Sequence, residues 1–235
     1  MSEISRIKVS TPEYDEILPS TKEAIKIKPF RVADEKTLLI ASESKDPKQM
    51  VNAMKKIVGN SIVDEVDESK FAPFDYEYLF LKIRAKSVGE ISKLKIACSE
   101  CETRNDVDFD LESVQVHEEE DFNTIIEIND RLSFKMKFLK IEDVMAMDPE
   151  AKQSEMFNII ADAVDVIVYE DDAITVGKAE RKEAQELIES LPSRDFEKFV
   201  NYFTLMPHTR GVANFTCSNC GHVNDHVIRG MQNFF

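Results

Sequence analysis

The chain has 235 residues, of which 43% are hydrophobic, enough for the core of one domain or of two halves that share a core. Its 45 acidic residues outnumber its 30 basic residues. The resulting net charge of -15 has the wrong sign for attraction to a phosphate backbone or an anionic membrane surface, so we expect neither nucleic acid nor such a membrane as a partner.

The N-terminal sequence lacks a basic start followed by an apolar run, so we expect an intracellular protein without a secretory signal. No apolar run approaches the roughly 20 residues that a membrane span needs. Four cysteines in such a chain favour thiolates over disulfides.

Residues 1–90 are predicted to form a β-hairpin followed by helices. Isoleucines alternate with lysines after a Pro-Ser-Thr turn, Asp34 and Asp46-Pro47 are helix start signals, and Gly59 with Asn60 is a stop signal. The predicted strands are residues 14–18 and 24–28, and the predicted helices are residues 34–42, 46–58 and 74–87. The last helix is apolar over most of its surface, which predicts a place in the core.

In residues 91–140, the apolar residues recur with a period of two, as in a strand with one buried face. Apolar residues alternate with lysines before a CSEC sequence and with aspartates after it, which predicts a strand, a metal-binding turn and a strand. The acidic residues 116–121 are predicted to be a loop, and residues 124–128 and 132–139 are predicted to form a second hairpin.

Residues 141–210 are predicted to be helical, with boundaries at Asp148-Pro149, Asp171-Asp172 and Pro192-Ser193. The predicted helices are residues 141–147, 154–168, 178–191 and 193–205. Residues 211–235 repeat the earlier arrangement, with strands at 212–216 and 223–228 around CSNCGH and an apolar end of Met231, Phe234 and Phe235. These three apolar residues could fold onto the core of the chain or contact a partner. We expect all four segments to form one compact unit.

The four cysteines form two C-x-x-C pairs, and each pair lies between two predicted strands. Two such hairpins that meet would supply four sulfur ligands to a structural zinc ion, namely Cys98, Cys101, Cys217 and Cys220. The predicted fold class is therefore α+β: a helical core with β-hairpins, two of which meet in a discontinuous four-cysteine zinc ribbon.

Other interpretations of the cysteines remain open. They could be reduced thiols without a metal or two local disulfides, and His222 or His226 could replace one cysteine as a ligand. A redox motif is not favoured, because such a pair belongs at a helix N-terminus and these lie between strands. Four sulfur ligands leave no open position for water, and no other active site is apparent, so we predict a protein that is not an enzyme.

Several stretches together resemble the T-even-type phage baseplate hub subunit family. They are LPSTKEAIKIKPFRVADEKTLLIASES, FDYEYLFLKIRAKSVGE, the CSEC and CSNC pairs, and the closing MQNFF. The resemblance implies a late structural or assembly protein of a contractile phage tail. It would contact other baseplate hub or tail proteins, and it would be found in the virion tail or in the host cytoplasm during assembly.

Two functions of other classes compete with this one. A zinc-ribbon regulator that binds nucleic acid would need a basic surface around the cysteines, but Lys93, Lys95 and Arg104 are interspersed with acidic residues. A hydrolase that acts on the cell wall would need a nucleophile or a metal with an open position, and the sequence suggests neither.

Overall fold

The computed structural model describes residues 10–44, 46–146 and 153–230, and it confirms the α+β class. The chain divides into two compact units, one of residues 1–116 with 209–235 and one of residues 117–208. In sequence, the second unit is thus inserted into the first.

Seven α-helices and eleven strands lie in these described residues. The helices are α1 (Val32–Ser44), α2 (Pro47–Ser61), α3 (Pro73–Val88), α4 (Ile141–Ala146), α5 (Gln153–Ala163), α6 (Arg181–Glu189) and α7 (Ser193–Thr204). The strands are β1 (Tyr14–Ile17), β2 (Ala24–Ile27), β3 (Ile91–Ala97), β4 (Arg104–Asp110), β5 (Gln115–His117), β6 (Ile125–Asn129), β7 (Leu132–Met136), β8 (Val164–Tyr169), β9 (Asp172–Thr175), β10 (His208–Thr216) and β11 (Val223–Arg229). The pairs β1–β2, β3–β4, β6–β7, β7–β8, β8–β9 and β10–β11 are antiparallel.

In the N-terminal region, the predicted hairpin and α3 are confirmed, but two helix ends are not where we predicted them. Asp34 does not precede α1; it lies in the first turn, where its Oδ2 accepts a hydrogen bond from the Arg31 backbone N–H at 3.1 Å. Asn60 does not end α2, because its side chain donates to Asp34 Oδ1 at 2.9 Å while α2 continues to Ser61. A polar pair between two helices thus outweighs the stop signal.

The core around α3 explains why both cysteine-bearing hairpins lie in the first unit. The β3–β4 hairpin turns alternate residues into the core beside α3, as expected for antiparallel strands with one buried face, and the β10–β11 hairpin adds residues to the same core. The buried cluster contains Leu81 and Ala85 of α3, Leu94, Ile96, Val107 and Phe109 of β3 and β4, Leu111, Val114, Ala213 and Ile228. This packing holds both hairpins in the same core as the helix.

Gly211 of β10 allows a close approach in this core. A Cβ atom at this position would lie 2.5 Å from Cζ of Phe109, a distance that side chains in proteins do not tolerate. The glycine therefore lets β10 lie directly against the inward face of β4.

The second unit is built on a four-stranded sheet in the order β6-β7-β8-β9. Its core combines inward residues of this sheet with α5, α6 and α7, and Phe134 of β7 meets Phe199 of α7 edge to face with ring centroids 5.1 Å apart. Arg181 of α6 donates to both carboxylate oxygens of Asp162 on α5, which links the two helices.

The prediction of one helix over residues 154–168 is wrong in its second half. Helix α5 ends at Ala163, and the next residue begins β8, which pairs with β7 on one side and with β9 on the other. Apart from Asp165, β8 is apolar on both of its faces, so its sequence lacks the alternation that marks a half-buried strand.

Smaller corrections concern nearby segments. The predicted loop 116–121 begins inside β5, and the predicted helix 178–191 is limited to Arg181–Glu189. Met147, Asp148-Pro149 and the aromatic residues at 231–235 lie outside the described residues. No helix in the described part of the chain is both long and apolar enough to cross a membrane.

Candidate metal centre

The turns of the β3–β4 and β10–β11 hairpins bring the four cysteines together. The Sγ atoms of Cys98, Cys101, Cys217 and Cys220 all lie within 4.8 Å of one another. Across the two turns, Cys98 Sγ is 3.8 Å from Cys220 Sγ, and Cys101 Sγ is 3.6 Å from Cys217 Sγ. The first cysteine of each pair is buried, with 2% and 3% of its surface exposed, and the second is more open.

Both turns have the same backbone structure. The N–H of Cys98 donates to the Thr103 carbonyl at 2.9 Å, and the N–H of Glu102 donates to the Cys98 carbonyl at 3.0 Å. In the second turn, the N–H of Cys217 donates to the His222 carbonyl at 2.8 Å, and the N–H of Gly221 donates to the Cys217 carbonyl at 3.0 Å. The residue after the second cysteine has a positive φ in each turn, 58° at Glu102 and 74° at Gly221.

This equivalence predicts that Glu102→Gly stabilises the protein. A left-handed residue with a Cβ is strained by about 1–2 kcal/mol, while glycine loses about 0.5–1 kcal/mol of chain entropy, so we expect a net gain of up to about 1.5 kcal/mol. Thermal unfolding would show a raised midpoint for Glu102→Gly and a lowered midpoint for Gly221→Ala. A lowered midpoint for Glu102→Gly would contradict the strain argument.

Two asparagines connect the turns to each other. Asn105 of β4 accepts hydrogen bonds at Oδ1 from the backbone N–H and the hydroxyl of Ser218, at 2.9 and 3.0 Å, and its Nδ2 lies 3.6 Å from Cys217 Sγ. Asn224 of β11 makes the same contacts with the first turn. Its Oδ1 accepts from the backbone N–H and the hydroxyl of Ser99, at 2.9 and 3.0 Å, and its Nδ2 lies 3.5 Å from Cys98 Sγ.

Sequence reasoning missed these asparagines, although a signal was present. Both turns follow one pattern, C-S-x-C-x-x-x-N, which ends at Asn105 in the first hairpin and at Asn224 in the second. The serine and the asparagine of this pattern are the residues that bond across the two turns.

Hydrogen bonds and neighbouring thiols shift the pKa values of Cys101, Cys217 and Cys220. Hydrogen bonds with the side chain and the backbone of Thr103 lower the pKa of Cys101 to about 6, and backbone hydrogen bonds from Cys220 and Asn219 lower the pKa of Cys217. At Cys220, the His222 backbone N–H lowers the pKa, but the neighbouring Cys101 and burial outweigh it and raise the pKa to about 12. Thiolates at this separation repel one another, and a bound cation would remove that repulsion.

The donor set fits a metal ion held by four sulfur atoms. A tetrahedral site with metal–sulfur bonds of about 2.3 Å needs sulfur atoms about 3.8 Å apart, close to the two distances across the turns. In the part of the chain that the structure describes, neither His222 nor His226 belongs to the cluster, and both side chains are exposed. The four cysteines thus lie close together and could bind a metal ion.

By its fold, the first unit is an α+β structure in which two hairpins, distant in sequence, share a four-cysteine cluster. Comparison with protein families identifies the chain more specifically. A family model described as "T4 bacteriophage base plate protein" matches residues 11–235. The chain therefore belongs to this family of phage baseplate proteins. No curated protein and no solved structure matches it.

Proposed function

We propose that the protein acts in the central hub of the baseplate of a contractile phage tail, through contacts with other hub or tail proteins. The observation that carries this proposal is the family match over residues 11–235. The resemblance of the LPSTKEAIKIKPF and FDYEYLFLKIRAKSVGE stretches to hub subunits supports the hub in particular. The protein either stays in the particle or acts only while the hub is assembled.

The same proposal assigns Cys98, Cys101, Cys217 and Cys220 as ligands of a structural zinc ion. Four thiolates in tetrahedral reach favour zinc among the common metal ions. Four protein ligands fill the coordination of zinc, so the metal has no position left for water and serves to stabilise the protein rather than to catalyse a reaction. The non-enzymatic role is therefore part of this proposal.

Crosslinking in infected cells tests the location in the hub. An affinity-tagged copy of the protein is crosslinked in infected cells, and its neighbours are identified by mass spectrometry. We expect proteins of the hub to be enriched over those of the wedges and the sheath. Enrichment of wedge proteins would contradict the location in the hub. Nucleic acid that is recovered with the tagged protein and removed by nuclease would favour a zinc-ribbon regulator.

Quantitative mass spectrometry of purified virions then separates the two modes of action. A fixed number of copies per particle means that the protein is a structural component. Presence in assembly intermediates and absence from virions means that it is an assembly factor.

A further inference from the structure

We propose that Asn105 and Asn224 are positioning residues that hold the two cysteine turns together before a metal ion binds. The inference rests on the proposed metal site and adds a reciprocal pair of side chains that prepares it. Each asparagine belongs to one hairpin and bonds the turn of the other, so the two contacts are related by the approximate two-fold symmetry of the hairpins.

The chemistry of the amide side chain suits this role. Its oxygen accepts the serine backbone N–H, and its NH2 group donates to a sulfur atom of the same opposite turn. Aspartate could perform only the first of these tasks, and a hydrophobic residue could perform neither. Asn105 and Asn224 are therefore suited to fix both the position of the turn and the direction of the sulfur lone pairs.

Both asparagine side chains are buried, so the loss of their hydrogen bonds should cost free energy. Only 7% of Asn105 and 4% of Asn224 is exposed, whereas Ser99 and Ser218 lie on the exposed side of their turns. Removing either buried amide leaves the opposite serine N–H without its partner and loosens the contact between the turns. The metal must then order the thiolates as it binds, at an entropic cost.

Partners of metal ligands contribute strongly to metal affinity, typically by about 10-fold to 100-fold each. We therefore expect Asn105→Ala and Asn224→Ala each to raise the zinc dissociation constant by about this factor. Competition with a chromophoric chelator measures the constant. Absorption of the cobalt-substituted protein reports whether four sulfur ligands are still present.

The metal-free protein gives an independent readout. The backbone amides of Ser99 and Ser218 donate to the asparagines, so amide hydrogen exchange should find both of them protected in the metal-free wild type. Asn105→Ala should release the Ser218 amide, and Asn224→Ala should release the Ser99 amide. The crossed pattern is expected only if each asparagine holds the opposite turn.

Asn214→Ala is the matched control, because Asn214 is an exposed asparagine of the β10–β11 hairpin, which also contains Asn224. This variant should change neither the zinc affinity nor the hydrogen exchange of the two serine amides. If the alanine variants do not fold, Asn105→Asp and Asn224→Asp carry the test, because they retain the acceptor for the serine N–H and lose the donor to sulfur. These variants should retain serine protection and bind zinc more weakly than the wild type.

Two results would overturn the inference. One is wild-type zinc affinity in the folded alanine variants, and the other is rapid exchange of Ser99 and Ser218 in the metal-free wild type. A wild type that binds no zinc but protects both serine amides would instead refute the zinc site and leave the contact between the turns in place.

Discussion

Cys98→Ser combined with Cys101→Ser is expected to abolish zinc binding and to lower the free energy of unfolding of the first unit by several kcal/mol. The variant removes half of the proposed ligands and leaves two thiolates beside each other on the opposite turn. Because the ligands come from two hairpins, the free energy of metal binding is also free energy of folding. Elemental analysis, native mass spectrometry and thermal unfolding of protein purified without added metal measure both effects.

Glu100→Gln is the matched control for this double variant. Glu100 lies between the two cysteines, and its side chain is exposed, so the variant should retain both zinc and the unfolding midpoint. Zinc content and an unfolding midpoint equal to those of the wild type in the double cysteine variant would refute the metal site. A wild-type mass lower by two hydrogens per cysteine pair, without metal, would show disulfides instead.

Phe199→Ala is expected to destabilise the second unit by about 3–5 kcal/mol, the usual cost of removing a large buried aromatic side chain. Phe199 is 0% exposed and packs edge to face on Phe134, and α7 holds it against the sheet. The cavity lies between a helix and a sheet that are both fixed by other core residues, so it cannot collapse easily. Urea unfolding followed by circular dichroism measures the change in free energy.

Ile174→Ala provides the comparison for Phe199→Ala. Ile174 is a large apolar residue of the same unit, but it lies on the edge strand β9 with 49% of its surface exposed. Its truncation should cost less than about 1 kcal/mol. Equal losses in the two variants would mean that the side chain of Phe199 is not the centre of this core.

The sequence permitted correct prediction wherever one face of an element is buried and the other is exposed. The strands around CSEC alternate strictly, and α7 has a strong apolar face, so their type could be read from periodicity. β8 could not be identified in this way, since it continues from Ala163 without a glycine or a proline and has apolar residues on both faces. Its pairing with β7 and β9 depends on distant residues.

The candidate site was predictable to the same limited extent. The C-x-x-C spacing of the cysteines, at turns between predicted strands, was sufficient to identify all four as candidate metal ligands. Two such pairs at equivalent turns rarely occur together by chance. The role of Asn105 and Asn224 depends on contacts between turns whose nearest cysteines, Cys101 and Cys217, are 116 residues apart. No local pattern reports such contacts, although the repeat of serine and asparagine around the cysteines could have drawn attention to them.

The insertion of the second unit between the cysteine pairs gives the protein a fixed order of synthesis. Cys98 and Cys101 leave the ribosome first, and Cys217 follows 116 residues after Cys101, a delay of about 6 to 23 s at about 5 to 20 residues per second. The described core residues of the inserted unit lie between Phe122 and Met206, so they are made before Cys217. The inserted unit can therefore finish folding while the metal site of the first unit is still half made.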